Sequence, residues 1–120
     1  MINQPAGHVE CDESLLEAVI RETLEETGRQ FTPEALVGIY QWGAPMSDRN
    51  FLRVCFAGTV GESVAEARLD PDIERALWLS PRELASESGR LRSPLVARCL
   101  DDYLAGERYP LSLCKSLLQV

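Results

Sequence analysis

Residues 7 to 28 read GHVECDESLLEAVIRETLEETG, and the order of residue types in this stretch predicts a loop, a helix and a sharp stop. Ser14 and Glu17 form an S-x-x-E capping box, in which each side chain satisfies a free backbone donor of the first turn. Gly28 supplies a left-handed C-cap, so the helix is expected from Ser14 to about Thr27. At 100° per residue, Glu22, Glu25 and Glu26 fall within an arc of about 100°. The neighbouring arc holds Leu15, Leu16, Val19, Ile20 and Thr23, so the helix packs by that side and leaves the carboxylates at its edge. Clustered carboxylates repel unless a cation sits between them, and hard oxygens at this spacing suit Mg²⁺ or Mn²⁺. A solvated acidic face is the ordinary alternative for such a run taken alone.

The surrounding residues narrow the choice. Gly7, Glu13, Arg21, Glu22, Glu25, Glu26 and Gly28 fall in the register G-x5-E-x7-R-E-U-x-E-E-x-G-U, where U is aliphatic, and this resembles the Nudix box. Seven specified positions coincide by chance with odds on the order of one in 10⁹ per start site. Thr23 and Arg29 occupy the two aliphatic positions; Thr23 can still pack its methyl, and neither departure removes a carboxylate. The segments NQPAGHVE, YQWGAP, LRSPLVA and GERYPL extend the resemblance over nearly the whole chain, towards the NudJ branch of Nudix phosphatases.

That resemblance implies an α/β fold (α+β in some schemes), a mixed sheet sandwiched between helices, with residues 1–120 as a single domain and the box at 7–29. It implies a metal-dependent hydrolase of nucleoside di- or triphosphates or related small organic pyrophosphates, such as thiamine-pathway diphosphates. Glu25 and Glu26 would be the main metal ligands and Glu22 a further or water-bridged one. The backbone carbonyl of Ala6 would join them. Glu13 and Arg21 would orient the ligands, and Gly7 and Gly28 would allow a tight loop–helix–loop path. Family members carry about two more strands ahead of the positions corresponding to Gln4–Gly7, so the fold is expected to be incomplete at its N-terminus, with exposed sheet edges that invite self-association.

Downstream, Leu36 to Trp42 and Phe51 to Val60 read as strands separated by the turn-like GAPMSDRN. In the second, Leu52, Val54 and Phe56 alternate with Phe51, Arg53 and Cys55, so one face is expected to be continuous apolar core while the other carries a cation. A third strand is expected around Arg75 to Leu79. Ser80-Pro81-Arg82-Glu83 repeats the capping-box logic, and Ser93-Pro94 opens a last helix ending at Gly106. Arg53 is the candidate for a substrate phosphate, and Tyr40 or Trp42 for stacking on a ring, against the plainer reading of strand-end aromatics as core cover. Asp72, beside Asp70 and Glu74, is the candidate general base, against the reading of DPDIE as an acidic turn.

Composition limits the partners. The 120 residues, 45% of them hydrophobic, suit one globular domain. A net charge of −7 with pI near 4.7 opposes binding to a nucleic acid polymer, because there is no basic stripe to release counterions. Small phosphates remain accessible through a bridging metal. Cys11, Cys55, Cys99 and Cys114 are widely spaced and there is a single histidine, so reduced thiols are expected rather than a zinc site or a disulfide framework. The chain shows neither a membrane span nor a signal peptide, and the expected location is the cytoplasm. A catalytically silent nucleotide-binding or regulatory domain is the competing function.

Overall fold

Ser14 opens the first helix as its setting predicts: the Ser14 hydroxyl accepts from the Glu17 amide at 3.1 Å, and the Glu17 carboxylate accepts from the Ser14 amide at 3.1 Å. In the computed structural model, which describes residues 3–64 and 78–118, this helix, α1, spans Leu15–Thr27. Gly28 ends it at φ 72°, its amide donating to the Leu24 carbonyl at 2.9 Å. A Cβ in that left-handed conformation costs about 1 kcal/mol, which is why glycine stands there. Ala18 and Thr23 are the buried positions of α1, and the Thr23 hydroxyl donates to the Val19 carbonyl at 2.7 Å. Threonine therefore fills an aliphatic position without stranding its oxygen.

The chain turns directly into β1 (Arg29–Gly43), which pairs antiparallel with β2 (Asn50–Ser63) from Arg29↔Ser63 to Gly43↔Asn50. Both strands outrun their expected spans of 36–42 and 51–60. Cross-strand pairing carries the ladder through Pro33 and Ala35 of β1 and Asn50 and Ser63 of β2, residues whose own strand preference is weak. Three register shifts interrupt the ladder, one of them between Leu36 and Gly38. There Leu36 faces Phe56 and Gly38 faces Cys55, and Val37 is the extra residue of a bulge. On the outer edge of β1, Leu36 exchanges backbone hydrogen bonds of 2.9 and 2.8 Å with Tyr109.

Two further helices follow: α2 (Pro81–Ser86), with a Ser80–Glu83 capping box, and α3 (Pro94–Leu104), where Ser93 Oγ accepts from the Leu95 amide at 3.3 Å. Gly106, at φ 87°, closes the turn after α3. Both helices begin where their Ser-Pro pairs predict. The third expected strand lies mostly outside the described residues, and Trp78 and Leu79, which are described, are not in a strand. Helices α1 and α3 both pack on β1. Val37 of β1, Cys55 of β2 and Cys99 of α3 form the buried cluster, with Tyr40 and Ala57 packed against it. Leu36 is buried as well, so at this point the strand is covered on both faces. All four cysteines are free, and no described helix is long and apolar enough to cross a membrane.

One expectation is corrected. Leu52, Val54 and Phe56 do not form a continuous core face: Leu52 is 73% exposed, and Ile39, across the hairpin on the same face, is 63% exposed. The buried residue of β2 is Cys55, on the face that carries Arg53. The hairpin is longer than the helices that cover it, so burial follows the position of α3 and not the alternation of apolar residues. Tyr40 reaches over that helix and donates to Asp102 Oδ2 at 2.7 Å, while Arg98 Nε donates to both Asp102 oxygens at 3.2 and 3.1 Å. Burial, then this bond to a carboxylate, push the Tyr40 hydroxyl above its ordinary pKa, and the Tyr40 hydroxyl and Arg98 hold Asp102 below its own.

Val37 is 1% exposed, and truncating it leaves a void between β1 and α3. Val37→Ala is expected to lower stability by about 2–3 kcal/mol, read as a lower urea midpoint at unchanged m-value.

Candidate active site

Like charges gather at the wrong end of α1. Glu25 and Glu26 lie in its last turn, which holds no basic residue, so the helix dipole disfavours them. The relief comes from inside the helix. Arg21 donates from Nε and Nη2 to the two carboxylate oxygens of Glu13 at 2.7 and 3.0 Å, a bidentate pair. Its Nη1 donates to Glu22 Oε1 at 2.8 Å and to Glu25 Oε2 at 3.2 Å, and Nη2 also donates to the His8 carbonyl at 3.0 Å. Glu10 approaches to 3.6 Å. This partner set raises the Arg21 pKa further, Glu13 contributing most, and the hydrogen bond from Arg21 holds Glu13 below the usual carboxylate range. Side-chain exposures of 22% for Arg21, 13% for Glu13 and 17% for Glu22 set this network apart from a solvated ion pair.

The loop ahead of the helix closes the site from the other side. The Ala6 amide donates to Glu26 Oε2 at 2.7 Å. Ala6 was expected to offer its carbonyl to a metal; the contact present is through its N–H. Gly7 lies so close to Glu22 that a Cβ there would fall on the Glu22 carboxylate. Glycine at 7 is thus a matter of contact, whereas glycine at 28 is a matter of backbone angle.

The donors are carboxylate oxygens of the kind hard divalent cations take. One Arg21 nitrogen already lies between Glu22 and Glu25, which marks a place where positive charge is accommodated. The donor set therefore fits Mg²⁺ or Mn²⁺ in kind. As they stand the carboxylates are engaged by Arg21 and the Ala6 amide, and among the described residues no three His, Cys, Asp or Glu side chains converge on one point. Glu25 has 42% of its side chain exposed, against 17% for Glu22.

The structure thus gathers Ala6, Gly7, Glu13, Arg21, Glu22, Glu25, Glu26 and Gly28 at one loop and helix. Tyr40, Trp42 and Arg53 are placed elsewhere, on the hairpin face that α3 covers. Tyr40 and Arg53 are cross-strand partners, and Trp42 stacks on Phe51 with centroids 5.6 Å apart. Beside them a groove of about 590 Å³ runs between β1 and α3, with Tyr40, Trp42, Leu95, Arg98, Asp102 and Tyr109 in its lining. Asp72, with Asp70 and Glu74, lies outside the described residues. Sequence reasoning missed Gln4, whose side chain accepts from Arg53 Nη1 at 3.2 Å and approaches Cys55 Sγ at 3.9 Å. It also missed Arg98 and Asp102, whose i,i+4 spacing on the last helix was the available signal.

Comparison with known proteins identifies the family. A family model described as NUDIX domain matches residues 3–99. The chain is 43% identical over 111 residues to Phosphatase NudJ of Escherichia coli (strain K12), covering 92% of this chain and 71% of that one. The same figures hold for Phosphatase NudJ of Shigella flexneri. A solved NUDIX hydrolase from Nitrosomonas europaea superposes with a TM-score of 0.94 at 43% identity, covering 98% of this chain and 80% of that one.

A depressed carboxylate pKa stabilises the folded state above the unfolded value, and that contribution fades as pH falls through the folded one. Since Glu13 lies below its ordinary 4.5, Glu13→Gln should lower the urea midpoint relative to the parent at pH 7. The gap should close as the pH is taken well below 4.5.

Proposed function

This chain belongs to the NUDIX domain family and is a Nudix phosphohydrolase; we propose that it hydrolyses nucleoside di- or triphosphates, or related small organic pyrophosphates, with Mg²⁺ or Mn²⁺ held by Glu22, Glu25 and Glu26. The observation that carries this reading is the three-carboxylate end of α1, braced by Arg21 and by the Ala6 amide. A divalent cation bound there would neutralise the diphosphate oxygens and lower the pKa of an attacking water.

The chain's own residues do the rest. Arg21 fixes Glu22 and Glu25 from one side while Glu13 fixes Arg21, so the carboxylates are presented with little freedom left to lose. The Ala6 amide orients Glu26. Gly7 leaves space against Glu22 that any side chain would fill. We assign ring contact to Tyr40 and Trp42, which line the groove against α3. Arg53 is engaged by Gln4, and for that reason is not assigned to substrate phosphate.

Hydrolysis of a nucleotide and pyrophosphate panel by EDTA-treated protein should be absent and should return with Mg²⁺ or Mn²⁺. Glu25→Gln and Glu26→Gln should each lower kcat at least about 100-fold with the thermal transition unchanged. Undiminished turnover in EDTA, or in the double variant, would overturn the metal assignment. Nucleotide binding without turnover by the folded parent protein would instead favour a silent binding domain.

A further inference from the structure

Gln4 belongs to none of the roles assigned so far, yet it sits where the two halves of the molecule meet. Its Oε1 accepts from Arg53 Nη1 at 3.2 Å, and its Nε2 lies 3.9 Å from Cys55 Sγ, a weak sulfur contact. Both partners belong to β2, and Cys55 is a member of the buried cluster that joins the hairpin to α3. Gln4 is itself half-buried. Two residues on, the Ala6 amide holds Glu26 Oε2 at 2.7 Å, and Gly7 presses against the Glu22 carboxylate. Pro5, between them, has its φ fixed by its ring, which removes one of the soft backbone torsions that separate Gln4 from the Ala6 amide.

From this we propose that Gln4 is a positioning residue: clamped to β2 by Arg53, it sets the loop whose Ala6 amide orients the Glu26 carboxylate. The inference rests on the reading of Glu26 as a metal-holding carboxylate for its effect on catalysis, but not for its effect on the loop. Arg53 acquires a definite task, holding the loop from β2 while Glu26 and Glu22 hold it from α1. A side chain outside the box, on the hairpin side of the molecule, thereby governs how one carboxylate of the box is presented. Loss of such an indirect support costs metal proteins about 10- to 100-fold in metal affinity or activity.

The test uses the full chain. The Ala6 amide proton, bonded to a carboxylate, should resonate downfield in the parent, and Glu26→Ala defines its released position. In Gln4→Leu that proton should move most of the way to the released position while the amides of Val37 and Cys55 stay in place. With Mg²⁺ and a nucleotide substrate, kcat should fall at least about tenfold with KM within twofold, and Mn²⁺ affinity should drop in parallel. Gln4→Glu keeps an acceptor for Arg53 and should restore both the proton shift and kcat to within about threefold of the parent. An Ala6 proton unmoved in Gln4→Leu overturns the inference, as does an equal loss in Gln4→Glu and Gln4→Leu. If the parent itself hydrolyses nothing, the functional reading fails, and the Ala6 proton still decides whether Gln4 sets the loop.

Discussion

One guanidinium makes the acidic end of α1 possible. Three glutamates close to a helix C-terminus oppose both one another and the helix dipole. Arg21 answers them by spreading its donors over Glu13, Glu22, Glu25 and the His8 carbonyl. It is a fixed charge on the same helix, so its position follows once the helix forms. The capping box and the C-cap at Gly28 both serve to form that helix. The cluster is consequently organised by groups of the chain itself. An incoming divalent cation would compete with a guanidinium and an amide for oxygens that are already aligned.

The architecture divides the work between two regions. Loop 4–7 and α1 carry the charged groups, whereas the hairpin and α3 carry the aromatic groove. Gln4 joins them through Arg53 and Cys55. For a substrate made of a diphosphate and a ring, such a division is chemically sensible: the phosphates need hard, charged partners, and the ring needs flat apolar surface.

How much of this could be read from the chain depends on the range of the interaction. The α1 boundaries, the Ser80 and Ser93 helix starts and the Arg21–Glu25 spacing were legible, because each is set by residues within four positions. The Glu13–Arg21 pair and the glycine at 7 were legible only through the spacing of the box. Strand faces were not. The apolar alternation Leu52-Val54-Phe56 pointed to a core that α3 places on the other side of β2, and no local pattern tells which face a distant helix will cover. Gln4 escaped notice for the same reason, since its partner Arg53 is 49 residues away. Ala6 does lie against the acidic cluster, but its contact there runs through the amide rather than the carbonyl, a choice of backbone orientation that composition does not encode.

The bulge at Val37 has an effect reaching well beyond its own position. It adds one uncompensated step to β1, so that Gly38 stands opposite Cys55 and every later residue is displaced by one relative to β2. Were the ladder regular there, Ile39 and Gln41 would point towards α3, and Tyr40 and Trp42 would point away from it. A single spare residue in the strand thus acts as a frame shift. It turns an aliphatic wall into an aromatic one, and it is this parity, set far from the box, that puts Tyr40 and Trp42 rather than aliphatic side chains on the side of the sheet facing α3.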